Sequence, residues 1–162
     1  MIKSKIKIED GAIYDFYDKW GFIYLEGDKR LAPDEKGCES TSYAEEPGEH
    51  IDPRTVDAPF DSTARFLVEA PNRDLGNVNR KIAAFNSAVR GIAHGDVKYK
   101  KEISFYDLRN RVKITGYPEV IAVPTEVYRS RTIGQMDFAV VELTIHVADP
   151  RKCDFKLNLE NF

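Results

Sequence analysis

The stretch MDFAVVELTIHV, residues 136–147, carries the clearest strand pattern in the sequence and decides the fold class. Successive side chains of a strand point to opposite faces of the sheet. One face of this stretch is apolar throughout: Ala139, Val141, Leu143, Ile145 and Val147. The other face is apolar and then polar: Met136, Phe138, Val140, Glu142, Thr144 and His146. The pattern predicts a strand buried on both faces in its first half and on one face in its second, as in a β-sandwich or a partly closed barrel.

Further strand patterns lie on both sides of this stretch. Residues 2–8 alternate isoleucine with charged or polar side chains, which is typical of a half-buried strand. Residues 12–25 are rich in aromatic side chains and predict a second strand region, with Gly21 as a bend or bulge. The remaining predicted strands are residues 64–70, 102–106 and 112–117, with residues 120–123 as a candidate continuation of the sheet.

One amphipathic helix is predicted at about residues 75–90. Asp74 precedes it and is a favourable N-cap residue. Four apolar residues follow at spacings that place them on one stripe of a helix. They are Val78, Ile82, Phe85 and Val89. Gly91 stands where a left-handed C-cap is expected, and we expect the apolar stripe to lie across a sheet face.

Residues 27–61 lack hydrophobic periodicity and are rich in proline, glycine and acidic residues. A segment of this length without a periodic pattern is usually a functional loop or a mobile arm. Residues 40–43 are a candidate edge strand within it. Taken together, the patterns predict a mainly β (α+β) single domain over residues 1–162, an antiparallel β-sandwich or partly closed barrel with the helix packed on it.

Charge and composition restrict the classes of function. The chain has 31% charged residues and a net charge of −3, as in an ordinary globular protein. Nucleic-acid binding rests on neutralising phosphates, so this mildly acidic chain is a poor general binder, and lysines around residues 98–101 are explained as solvated surface. No apolar run is long enough to cross about 30 Å of hydrocarbon. The start lacks the apolar core of a signal peptide, so we expect a cytoplasmic protein without membrane contact.

No catalytic, cofactor or metal site is predicted. The three histidines lack the close spacing of a typical metal site: His50, His94 and His146. The nucleophile-elbow and phosphate-cradling glycine motifs are missing. Glu142 and His146 share a strand face as a candidate acid–base pair, although polar pairs of this kind are common in sheets. Cys38 and Cys153 form a disulfide only if the fold brings their Cα atoms within about 7 Å, and the sequence leaves that pairing open.

Three roles are open for the aromatic residues of this sequence. They form a sugar-stacking platform, fill a sandwich core, or supply an oligomer interface. The candidate interface residues are Tyr14, Phe16, Trp20, Phe22, Tyr24 and Tyr43.

The order of elements resembles a known family. A strand at residues 64–70 leads into the helix at 75–90, strands run through Lys113-Ile114-Thr115-Gly116-Tyr117, and the long strand ends at Val147-Ala148-Asp149-Pro150. This order, over roughly residues 60–150, resembles the N-terminal domain of phage distal tail proteins and related tail-tube-like subunits. The resemblance implies a structural subunit that assembles into a ring and has no active site. It also implies that residues 27–61 are an arm between subunits, that other tail proteins are partners, and that the virion is the final location.

Three functional hypotheses follow. The first is a non-enzymatic structural or assembly subunit that associates with itself and is phage or prophage derived. The alternative is a small-ligand or carbohydrate-binding β domain that uses the aromatic stretch. A third is a hydrolase that uses carboxylates of the loop at residues 45–61. The spacing of the acidic residues there does not match a calcium-binding EF-hand.

Overall fold

The computed structural model describes residues 4–9, 11–27, 40–42, 49–51, 57–94, 97–129 and 136–159. Two α-helices are present in this part of the chain, α1 (Phe16–Trp20) and α2 (Leu75–Val89). The strands are β1 (Ser4–Ile8), β2 (Ile13–Asp15), β3 (Phe22–Gly27), β4 (Ser40–Ser42), β5 (Glu49–Ile51), β6 (Phe60–Glu69), β7 (Arg90–His94), β8 (Val97–Lys100), β9 (Ile103–Asp107), β10 (Val112–Pro118), β11 (Tyr128–Arg129) and β12 (Asp137–Val147). Short 3-10 helices lie at Pro71–Arg73 and Pro150–Lys152. Within these ranges, no helix is long and apolar enough to span a membrane.

The strands form one antiparallel main sheet in the order β2-β1-β9-β10-β12-β6-β3, with β11 beside β12. Strands β2 and β3 stand at the two ends of this order and are not paired with each other, so the sheet is open. Its longest pairing joins β12 to β6, from Phe138 opposite Glu69 to Val147 opposite Phe60. Separate two-stranded hairpins are formed by β4 with β5 and by β7 with β8. The predicted antiparallel, mainly β class with one main helix is confirmed.

Strand β10 is the corner at which the sheet changes direction. Its residues 112–116 pair with β9, whereas Tyr117 and Pro118 pair with β12. This change of partner within one strand turns the β2-β1-β9-β10 half against the β12-β6-β3 half. The apolar faces of the two halves then enclose a common core.

The long strand of the prediction runs from Asp137 to Val147, and the side of it that was predicted to be apolar throughout is buried. The prediction that its first half is buried on both faces is wrong, because Phe138 and Val140 are only half-buried. The short strand β11 pairs with β12 within the sheet, and its Tyr128 ring lies 5.8 Å from the ring of Phe138 on this face. This neighbouring ring leaves Phe138 and Val140 partly exposed.

Residues 12–25 do not form a single strand region, and that prediction is corrected. They form β2, the helix α1, and β3. The side chain of Asp15 accepts the backbone N–H of Tyr17 at 2.9 Å and caps the helix. Gly21 is not a bend in a strand but the C-cap, with a φ of 72° that favours glycine. The two buried residues of α1 lie one helical turn apart: Phe16 and Trp20.

The predicted start of the main helix and its predicted apolar stripe are both confirmed in α2. The Asp74 side chain accepts the backbone N–H of Gly76 at 2.8 Å. All four residues of the stripe are buried. The predicted C-cap at Gly91 is wrong, because Arg90 ends the helix in an extended conformation and the chain continues directly into β7.

The predicted irregular segment, residues 27–61, contains more regular structure than its composition indicates. Residues 40–42 pair with residues 49–51, and β6 begins at Phe60. Tyr43, the last residue of the candidate edge strand, lies outside the described residues. Residues 120–123 do not form a strand; Ile121 is instead buried against α2, where its backbone N–H and C=O both bond to the side chain of Asn86.

An aromatic cluster fills the space between the two halves of the sheet. The Phe16 ring from α1 lies 4.6 Å from that of Phe66 on β6 and 5.6 Å from that of Phe105 on β9. The Phe85 ring from α2 lies 6.0 Å from the Phe16 ring. Ring pairs at such distances add favourable contacts to the burial of apolar area. The short helix α1 thus brings together both sheet halves and the main helix.

A buried polar contact joins the halves near the same place. The hydroxyl of Tyr24 on β3 donates to Oδ2 of Asp107 on β9 at 2.6 Å. Asp107 is 3% exposed and also accepts the backbone N–H groups of Arg109 and Asn110 and the side-chain amide of Asn110. The carboxylate therefore fixes the β9–β10 turn and holds β3 against it.

Gly116 permits the close approach at the corner, which generates a first prediction. A Cβ on this residue would collide with the backbone carbonyl of His146 and meet the side chain of Ile145. We expect Gly116→Ala to lower the free energy of unfolding by about 2 kcal/mol or more, since neither backbone moves freely. Urea denaturation measures the free energy of unfolding of each variant. Gly76→Ala is the control, because its Cβ would meet only the flexible carboxylate of Asp74, and an equal loss in both variants would contradict the corner argument.

A second prediction concerns the contact between the sheet halves. Tyr24→Phe removes the hydroxyl that donates to Asp107 and leaves a buried carboxylate with one hydrogen bond fewer. We expect the free energy of unfolding to fall by about 1–2 kcal/mol. Tyr117→Phe, at a tyrosine that is 42% exposed, should have little effect. Equal stabilities of the two variants in urea denaturation would show that the buried contact does not hold the halves together.

Candidate assembly surfaces

The side chains that were candidates for catalysis lie apart from each other. His146 bonds through Nδ1 to Oδ1 of Asp61 at 2.7 Å, because the β6–β12 register places these two residues opposite one another. Glu142 instead joins Arg65, which also binds Glu26, and all three side chains are half exposed or more. Glu142 and His146, which share a strand face, thus each bond to a different partner. In the described ranges, no group of three or more His, Cys, Asp and Glu side chains is arranged to hold a metal ion.

Cys153 carries a free thiol that packs at the edge of the core. Its Sγ accepts the backbone N–H of Thr115 at 3.5 Å, and burial raises the pKa of the thiol. A raised pKa reduces the thiolate fraction and with it the reactivity of the sulfur. Cys38 lies outside the described residues.

The structure places the candidate aromatic residues in two different environments. Four of them are buried in the core: Phe16, Trp20, Phe22 and Tyr24. Their rings contact each other and the neighbouring phenylalanines, and none of them offers a face for stacking on a sugar. Tyr14 is 38% exposed. Tyr43 lies outside the described residues.

Tyr14 is one of three exposed apolar residues at one end of the sheet, Ile13, Tyr14 and Tyr17, which we call the edge surface. Within β2, Ile13 lies opposite Lys7 on the outer face and Tyr14 lies opposite the buried Ile6, so these two side chains stand on opposite faces of the sheet edge. Ile13 is 44% and Tyr17 56% exposed. The Tyr14 ring lies against Trp20 at 6.4 Å and under the Lys19 ammonium at 4.9 Å, which holds it in place. Exposed edge strands with apolar side chains are sites where another chain can associate. Ile13 was not singled out from the sequence, because an isoleucine in a stretch rich in apolar and aromatic residues predicts burial.

A second surface is a cationic groove on the outer face of β1, β9 and β10, with a volume of about 750 Å³. We call it the basic groove. It is lined by Lys7, Glu9, Lys100, Glu102, Ser104, Tyr106, Lys113, Thr115, Tyr117, Arg151 and Lys152. The strand register explains its composition, because Lys7, Ser104 and Thr115 lie opposite one another on the side away from the core. The backbone pairing of Lys113 with Asp154 brings the C-terminal residues alongside β10 and forms one wall.

Sequence comparison gives no relatives: no protein-family model and no curated protein matches the chain. Among solved structures, the chain is similar to the crystal structure of SPP1 Dit, described as a paradigm of the hub adsorption apparatus in phages that infect Gram-positive bacteria. The TM-score is 0.51 and the sequence identity 18%, over 91% of this chain and 50% of the Dit chain. The chain thus spans about half the length of that structure. The resemblance to phage distal tail proteins is confirmed as a likeness of fold.

The chain contains a single tryptophan, so its intrinsic fluorescence reports on Trp20 alone. Trp20 is 6% exposed, and the Phe85 ring lies 5.0 Å from its ring. We expect acrylamide to quench the native protein only weakly and the urea-unfolded protein strongly, because the quencher must contact the indole. Equal quenching in both states would place Trp20 on the surface, as a stacking platform requires.

Proposed function

We propose that the chain is a non-enzymatic structural subunit of a phage tail-like assembly, and that copies of it associate into a ring within the virion. The observation that supports this most strongly is the likeness of fold to a phage hub protein over 91% of the chain. The apolar edge surface supports it independently, because exposed apolar residues at the end of a sheet favour association with another chain.

The two ends of the main sheet suggest how copies meet. Among the described strands, β2 is paired only with β1, and β3 only with β6. Each therefore has one side that pairs with no described strand and to which a further strand can add; on β3 the carbonyl of Leu25 already accepts the Arg109 guanidinium at 2.7 Å. A contact between the β2 end of one copy and the β3 end of the next is heterologous, and contacts of this kind close into rings when the rotation per copy permits it. Leu25 on β3, which is 39% exposed, offers an apolar counterpart to the edge surface.

The test is the mass in solution, measured by light scattering after size exclusion. We expect a multiple of the 18.5 kDa chain mass for the natural sequence. The double variant Ile13→Ser/Tyr17→Ser replaces two side chains of the edge surface that contribute little to the core. It should weaken self-association about tenfold or more, because the apolar area that these side chains bury at the contact is lost.

The matched control is Val123→Ser/Tyr99→Ser, which removes an aliphatic and an aromatic side chain that are 54% and 59% exposed elsewhere. This variant should keep the mass of the natural protein. A monomer at every concentration of the natural protein would contradict the ring. A stable oligomer that both double variants preserve would leave the ring standing and exclude the edge surface as its contact.

A further inference from the structure

We propose that the basic groove binds a short acidic polypeptide segment of a partner protein. The inference does not depend on ring formation, because the groove lies on the outer face of β1, β9 and β10 rather than at the free side of β2 or β3. The two lysines on which it rests, Lys7 and Lys113, belong neither to the core nor to the edge surface.

The groove has a recessed polar floor. The hydroxyls of Ser104 and Thr115 bond to each other at 3.0 Å, and Thr115 is only 6% exposed. Tyr106, next to them along β9, is 8% exposed. Polar side chains that are this well covered on the outer face of a sheet show that the surface is concave. A concave floor of hydroxyl groups can donate hydrogen bonds to the oxygens of a bound carboxylate.

The walls supply positive charge. Three of the five basic side chains are held in surface ion pairs: Lys100 with Glu119, Arg151 with Asp149, and Lys152 with Glu102. Lys7 and Lys113, by contrast, have no ion-pair partner among the described residues. They flank β9 from β1 and β10, so they stand on opposite sides of the floor. Two unneutralised ammonium groups facing one concavity favour an anionic ligand.

The distribution of charge over the chain restricts the kind of anion. Five basic and two acidic described side chains line the groove, and Glu119 and Asp149, the partners of Lys100 and Arg151, add two carboxylates, so five basic against four acidic groups leave +1. Nucleic-acid binding rests on neutralising many phosphates, and a chain with a net charge of −3 has no excess of basic residues for that. A short carboxylate-rich peptide needs only the few ammonium groups of the groove.

The experiment measures the binding of fluorescently labelled hexaglutamate to the full chain by anisotropy, at low salt. Hexaserine and a single-stranded oligonucleotide of equal charge are the comparison ligands. The groove variant is Lys7→Gln/Lys113→Gln. The control is Arg73→Gln/Arg80→Gln, which makes the same change in net charge at exposed positions beside and on α2.

We expect hexaglutamate to bind, hexaserine not to bind, and the groove variant to weaken hexaglutamate about tenfold while the control stays within about twofold. No binding of hexaglutamate would overturn the proposal. Equal weakening in both variants would also overturn it, because the attraction would then be general rather than local. Tighter binding of the oligonucleotide than of hexaglutamate would assign the groove to nucleic acid instead.

Discussion

The carboxylate of Asp107 organises the structure from a buried position between the two halves of the sheet. A buried charge is costly unless hydrogen bonds replace the water that it loses. Here the replacement comes from the β9–β10 turn and from Tyr24 on a strand at the far end of the sheet order. Burial, and secondarily Asp107 itself, raises the pKa of Tyr24, so the hydroxyl keeps its proton and remains a donor. The corner at β10 turns the two halves towards each other, and the Tyr24–Asp107 contact joins them.

The packing of the two sheet halves against each other determines which aromatic residues are buried and which are exposed. The short helix α1 connects β2 to β3, the two ends of the strand order, so it runs from one half of the sheet to the other. Its buried side, Phe16 and Trp20, then meets α2 and both sheet halves, while Tyr17 is left outside with Tyr14. The exposure of Tyr14 and Tyr17 thus accompanies the burial of Phe16 and Trp20 in the same short segment.

Periodicity predicted β12 and α2 because each is long enough to repeat its pattern several times, and the Asp74 cap is a local signal. Residues 12–25 were misread because aromatic side chains favour strands, and a five-residue helix shows hardly more than one turn. Asp15 and Gly21, which cap α1 at its two ends, are the local signal by which this helix is recognisable in the sequence. The basic groove had no local signal. Lys7 and Lys113, which have no ion-pair partner among the described residues, belong to distant segments that only the strand register brings onto one face, and Lys100 lines one wall.

The distribution of charge bears on how copies of this chain can meet. The chain carries a net charge of −3, so two copies repel each other mildly on average. The edge surface offers an approach whose contact residues are uncharged, with Lys19 already engaged over the Tyr14 ring. The basic groove offers an approach that attracts acidic partners. Electrostatic complementarity selects partners and orientations more than it adds affinity. An apolar edge for like copies and a cationic groove for an unlike partner would therefore keep the two kinds of contact distinct on one small fold.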